Sequence, residues 1–332
     1  MRKLRKTAAT IAVMLAAISM LGGCLDEDYE DYEYSEDYSQ EYEYPETQEE
    51  YASDESGSDY SAPASGELTT GNYPMGTVGE LEGTIAVVTI IASDANGAWD
   101  PDSQKCQSMF AKYRESMPVD LDWVKKSAAE YGREVNFIWD WEEHEELLYE
   151  ASFETDLGNT INTDKEGIFE ADEIIANTID SASIMSSLNA DGIVYYFFVY
   201  ENEGIKCRPC TFNVGTGISD SQKDYWYYME GKEEPPYEFI ILLSSYEDDY
   251  DDYAVIAHEF IHTLGAPDLY SPSWYGITQE FVDYVDSSKS HDIMLNKYPP
   301  FEITDITAYY AGLTDYSETA KEWGLDPSSH DK

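Results

Sequence analysis

The chain has 332 residues, with 19 Lys plus Arg against 68 Asp plus Glu and a formal charge of −49. So acidic a surface excludes nucleic acid as a partner, because cationic side chains must replace the counterions condensed on a polyphosphate, and it is repelled by anionic lipid. Hydrophobic residues make up 42%, with seven Trp and eleven Phe, which is enough to bury a sizeable core and excludes global disorder.

The N-terminus opens with Arg2, Lys3, Arg5 and Lys6, followed by an apolar run over residues 8–21. A basic start and a short apolar stretch before small residues read as a secretion signal over residues 1–23, too short for a membrane span. Leu21-Gly22-Gly23-Cys24 resembles the lipobox of bacterial lipoproteins. The resemblance implies lipidation of Cys24 and a place on the outer face of the membrane, in the bacterial cell envelope. Residues 26–60 then hold sixteen Asp or Glu, eight Tyr and no Lys or Arg. Like-charge repulsion and the lack of aliphatic side chains predict a disordered acidic tether over residues 24–72. A tether of this size can hold a domain about 40 Å or more from the membrane.

Residues 61–332 remain acidic, with 15 basic and 52 acidic side chains, and carry the folded part. Apolar runs predict strands over 83–91, 134–139, 193–200 and 238–243, and periodicity predicts helices over 121–131 and 171–188. Asn189-Ala190-Asp191-Gly192 forms the turn out of the second helix. Strands alternating with helices predict an α/β fold around a mostly parallel, twisted sheet. Cys106, Cys207 and Cys210 allow one disulfide and one leftover thiol outside the cell. Cys207-Arg208-Pro209-Cys210 has the spacing of a thioredoxin-type pair, but the strand-like sequence after it lacks the helix N-terminus that lowers a thiol pKa, so a structural role is expected.

One segment carries the chemistry: His258-Glu259-Phe260-Ile261-His262-Thr263-Leu264-Gly265-Ala266-Pro267-Asp268. On a helix, His258 and His262 lie on one face and present both imidazoles to a single zinc ion, with Glu259 placed as general base for an attacking water. Val255, Ile256, Phe260, Ile261 and Leu264 supply the apolar side of that helix, and the acidic run 248–252 suits its N-terminus. Gly265 ends it in a left-handed turn, which sends the chain back so that Asp268 can supply a third ligand. Two His and one carboxylate leave a fourth position open, as a catalytic zinc site requires. Tyr270 and His291 are the other candidate ligands within reach beyond Gly265.

The pattern His-Glu-x-x-His-x-x-Gly-x-x-Asp resembles the metzincin zinc peptidases. Its Asp is similar to snapalysin, and Gly265-x-Pro267-Asp268-Leu269-Tyr270 is similar to the immune inhibitor A peptidases, as is Asn189-Ala190-Asp191-Gly192-Ile193-Val194. The motif-bearing similarity covers residues 189–312 and is strongest over 258–268. It implies an α+β metzincin-like peptidase domain over residues 73–332. The upper subdomain would be 73–264 and the lower 265–332, with the active-site cleft between them. It further implies a turn containing Met294 beneath the metal, a helix over 302–311, and a transition-state Tyr, whose place is taken here by Asn296, with Tyr298 as a substitute. Asn162, Asp164, Glu166 and Glu173 approximate calcium-loop spacing and are a candidate second metal site. His144 is expected on a solvated helix face and His330 in the tail. The expected protein is a monomeric, lipid-anchored zinc endopeptidase acting on protein or peptide substrates, an extended substrate pairing with an exposed sheet edge. The rivals are a non-catalytic adhesion or binding lipoprotein and a calcium-dependent surface adhesin.

Overall fold

A computed structural model describes residues 78–162, 164–200, 207–212, 231, 237–244, 254–272, 277–295 and 300–325. The signal, Cys24, the acidic tether, the run 248–252, Asn296, Tyr298 and His330 lie outside these residues. In chain order the strands are β1 (Gly83–Ser93), β2 (Val135–Ile138), β3 (Leu148–Ser152), β4 (Gly192–Val199), β5 (Cys210–Phe212) and β6 (Phe239–Leu243). The helices are α1 (Gln104–Glu130), α2 (Leu157–Thr160), α3 (Glu166–Thr178), α4 (Ser181–Leu188), α5 (Val255–Thr263), α6 (Gln279–Ser288), α7 (Asp305–Tyr310) and α8 (Glu318–Glu322).

The fold is mixed α/β with a mostly parallel sheet, in the order β2-β1-β4-β6-β5. β2 pairs with the start of β1 and β3 with its end, so these two share one flank of β1 while β4 takes the other. The pair β5–β6 is antiparallel and closes the described sheet at one edge. β4 and β6 are buried at every position, as strands covered on both faces must be.

Successive strand residues point to opposite faces, which places the helices. The Tyr195 hydroxyl donates to Ser181 Oγ in α4 at 2.6 Å, and the Tyr196 hydroxyl donates to the Ile256 carbonyl in α5 at 3.2 Å. α4 and α5 therefore cover opposite faces. Phe198 points the same way as Tyr196 and stacks on Tyr113 of α1 at 4.8 Å, so α1 shares the face of α5. Among the described residues no helix is long and apolar enough to cross a membrane.

Four expectations need correction. α1 begins at Gln104, well before residue 121, because Pro118 hides a buried stripe of Cys106, Met109, Phe110, Tyr113 and Met117. A helix interior normally loses about 3 kcal/mol to proline, and here burial of that stripe outweighs it. The single helix over 171–188 is two, because Asp180 caps α4 by accepting the Ser183 N–H at 3.1 Å. The helix over 302–311 starts only at Asp305, since Glu302 is held in a β-bridge with Asp292. His144 precedes a short 3-10 turn (Glu145–Leu147) and is not on an α-helix.

The C-terminal helices are tied together by one carboxylate. Asp305 accepts from Lys289 Nζ and Ser317 Oγ, both at 2.6 Å, and from the Thr319 N–H at 3.1 Å. Burial pushes its carboxyl up, but Lys289, Ser317 and Thr319 outweigh this and hold it at about 2. A carboxyl lowered on folding adds stability above its ordinary value of 3.8 and loses it as pH falls towards 2. The side chain is one-third exposed, so solvent screening limits the effect. Asp305→Asn is expected to lower Tm by about 2–4 °C at neutral pH, and melts at falling pH should show the difference closing.

Candidate metal centre

α5 is driven into the core by Val255, Ile256, Phe260 and Ile261, all at most 1% exposed. One turn apart on it, His258 and His262 have ring centroids 4.8 Å from each other. Gly265 takes φ +96, the left-handed conformation that a side chain disfavours, and its N–H donates to the His262 carbonyl at 2.9 Å. The chain thereby doubles back and brings Asp268 Oδ1 to 3.3 Å from both His258 Nε2 and His262 Nε2. Among the described residues these three side chains alone form a metal-sized group, with one ligand atom from each lying within 4.8 Å of the others.

Hydrogen bonding shows that the group suits a cation. His258 Nδ1 lies 2.8 Å from the Ile293 carbonyl and His262 Nδ1 lies 2.7 Å from the Ala266 carbonyl. A carbonyl only accepts, so each Nδ1 carries the proton, and in the neutral rings each Nε2 presents a lone pair. Both lone pairs face Asp268 Oδ1, which is buried and lacks a hydrogen bond of acceptable geometry. Three lone pairs cannot face one another without a positive charge among them. Without a metal a proton fills that role. Burial pushes the His262 imidazolium down, but Asp268 outweighs it and holds the ring at about 9. Asp268 is held far below the carboxylate range by the two imidazoles, against the opposing effect of its burial. Two imidazoles and one carboxylate also match the donor set of a transition-metal ion with one position left open.

The neighbours orient this set. The Tyr270 hydroxyl donates to Asp268 Oδ2 at 2.8 Å, leaving Oδ1 for the imidazoles, and its ring lies nearly parallel to that of His258 at 6.5 Å. Tyr270 is thus a donor to the candidate third ligand. Glu259 is 3% exposed, and Thr211 Oγ1 lies 2.8 Å from both its Oε2 and its backbone carbonyl. Thr211 belongs to β5, so the sheet edge borders the site. Neither Thr211 nor the Tyr270–Asp268 bond was marked by the motif.

Met294 is fully buried, and its carbonyl accepts the Leu269 N–H at 2.9 Å. The segment is pinned by Asp292, also fully buried, which accepts from the Met294 N–H at 2.8 Å, the Thr304 N–H at 3.1 Å, the Thr304 hydroxyl and the Thr307 hydroxyl. Through Ile293 it sets the carbonyl that orients His258. His291 is exposed and outside the metal-sized group.

The candidate calcium residues have other hydrogen-bond roles in the described structure. Asn162 Oδ1 accepts the Arg208 N–H at 3.1 Å, and Asp164 Oδ1 accepts the Glu166 N–H at 3.0 Å. Glu166 and Glu173 are exposed, and Asp164, Glu166 and Glu173 form no metal-sized group. Asp164 serves the first turn of α3. Cys106, Cys207 and Cys210 are free thiols. Cys210 opens a strand, and desolvation with the nearby Glu259 pushes its thiol well above the ordinary range, opposite to what a thioredoxin-type nucleophile needs.

No family model matches the sequence, and no curated protein matches it.

Proposed function

We propose that the protein is a zinc endopeptidase of metzincin type, carried on the outer face of a bacterial membrane by a lipidated Cys24 and an acidic tether. The observation that carries the reading is the approach of Asp268 Oδ1 to 3.3 Å from both Nε2 atoms, with Glu259 next to the first ligand on the same helix. Zinc suits a site of two nitrogens and one oxygen better than calcium or magnesium, which take oxygen ligands.

When bound by His258, His262 and Asp268, the ion supplies Lewis-acid polarisation of the scissile carbonyl and a lowered pKa for the attacking water. Glu259 accepts that water's proton and delivers it to the leaving amine. The Thr211 hydroxyl restrains the Glu259 carboxylate, and Tyr270 restrains Asp268. An extended substrate adds at β5, the edge strand of the sheet among the described residues, where main-chain hydrogen bonds make few demands on sequence. Retention of Glu259 favours catalysis over the adhesion reading, because a purely structural zinc has no use for a base.

The test is hydrolysis of casein and a peptide library by the soluble domain. Activity lost with chelator and restored by zinc is the expected result. A protein that binds zinc stoichiometrically yet cleaves neither substrate is the binding module instead.

A further inference from the structure

α5 carries both imidazoles but, among the described residues, has no local side-chain cap. Its N-cap residue is Ala254, which offers no side-chain acceptor. Val255, Ile256 and Ala257 are at most 1% exposed, so water cannot take up the N–H groups of the first turn. The acceptor comes from 137 residues away: Asp120 Oδ2, in the interior of α1, takes the Ala257 N–H at 3.2 Å, and the Ile256 N–H also bonds to its carboxyl. Asp120 is 7% exposed and sits in the buried stripe of α1 beside Met117, Leu121 and Val124. Among the described residues no Lys or Arg pairs with it. Burial pushes its carboxyl up to about 7, with the Ala257 and Ile256 N–H groups opposing. A stripe selected for packing alone would carry an apolar residue here, since a buried acid without a cation is costly.

We infer that Asp120 is a positioning residue for the metal centre, a remote cap that sets the depth and rotation of α5 and thereby the convergence of His258 and His262 on Asp268. The inference rests on the metal-site reading above. Tyr196 holds the same turn from the sheet, through the Ile256 carbonyl, so donors and acceptors of that turn are both fixed. The lever is short and sensitive. A helix with its side chains is about 5–6 Å in radius, so a rotation of about 10° moves an imidazole tip by about 1 Å. Metal–ligand bonds tolerate only about 0.2 Å.

The test compares Asp120→Ala and Asp120→Leu, which remove the acceptor, with Asp120→Asn, which keeps the shape and one acceptor oxygen. Zinc affinity by chelator competition, the visible spectrum of the cobalt-substituted protein and metal-free amide exchange in α5 are measured at a temperature where each variant is folded. Ala and Leu are expected to weaken zinc by about tenfold or more and to alter the cobalt spectrum. Asn should be about threefold weaker, between them and wild type. If Ala or Leu fails to fold, Asn still decides. Variants that melt earlier but keep wild-type zinc affinity and cobalt spectrum overturn the inference, leaving an ordinary helix cap. A wild-type protein that binds no zinc overturns the metal reading and this role with it. Exchange, which needs no metal, then shows separately whether Asp120 caps α5.

Discussion

Glu259→Gln is expected to abolish peptide hydrolysis while the metal stays bound. Glu259 lies outside the group of three candidate ligands, so losing its charge removes no donor atom from the centre. Gln has the same shape, and its amide oxygen can still accept from Thr211, which lies 2.8 Å from Oε2 in the native chain. What disappears is the ability to take a proton. General-base catalysis contributes roughly 10²–10⁴-fold, and with the same group also delivering the proton to the leaving amine a loss near the upper end is expected. Steady-state turnover measured beside zinc content checks this. Near-normal turnover would sink the mechanism, and loss of zinc would make Glu259 a ligand.

Asp268→Ala should weaken zinc binding by at least about 100-fold, more than the loss of an outer hydrogen-bond partner typically costs. Two imidazoles on one helix leave a four-coordinate site half open, and Asp268 Oδ1 is the one further ligand atom that the described structure brings to them. The same change leaves the Tyr270 hydroxyl without its carboxylate acceptor and removes the charge that balances the ion. His291→Ala is the control, and it should bind zinc as the wild type does, because His291 is exposed and stands apart. Asp268→His should retain appreciable metal, with adjustment at Ala266-Pro267 for the longer side chain. If Asp268→Ala kept full zinc while His291→Ala lost it, the ligand assignment would fail.

Much of the geometry of the candidate centre is legible in the sequence. The helical period puts residues i and i+4 on one face, so His258 and His262 converge from spacing alone. Gly265 signals the left-handed turn that returns the chain, and Asp268 follows at the right distance. Runs such as Ile193-Val194-Tyr195-Tyr196-Phe197-Phe198 identify strands covered on both faces, and with them the α/β class. Asp164 matches a calcium-loop position, and its Oδ1 accepts the Glu166 N–H at the start of α3.

Only the tertiary structure decided which groups support the centre. Asp120 reaches α5 across 137 residues, Thr211 reaches Glu259 across 48, and Asp292 reaches Thr307 across 15. Periodicity and turn chemistry act over one or two helical turns, and they are what a sequence displays directly. Which distant polar groups meet depends on strand order and on which face each helix covers. Asp120 can cap α5 only because α1 and α5 pack on the same side of β4, and Thr211 can hold Glu259 only because β5 lies antiparallel at the edge beside β6. A buried donor must find an acceptor wherever the fold brings one, and no local pattern records its address.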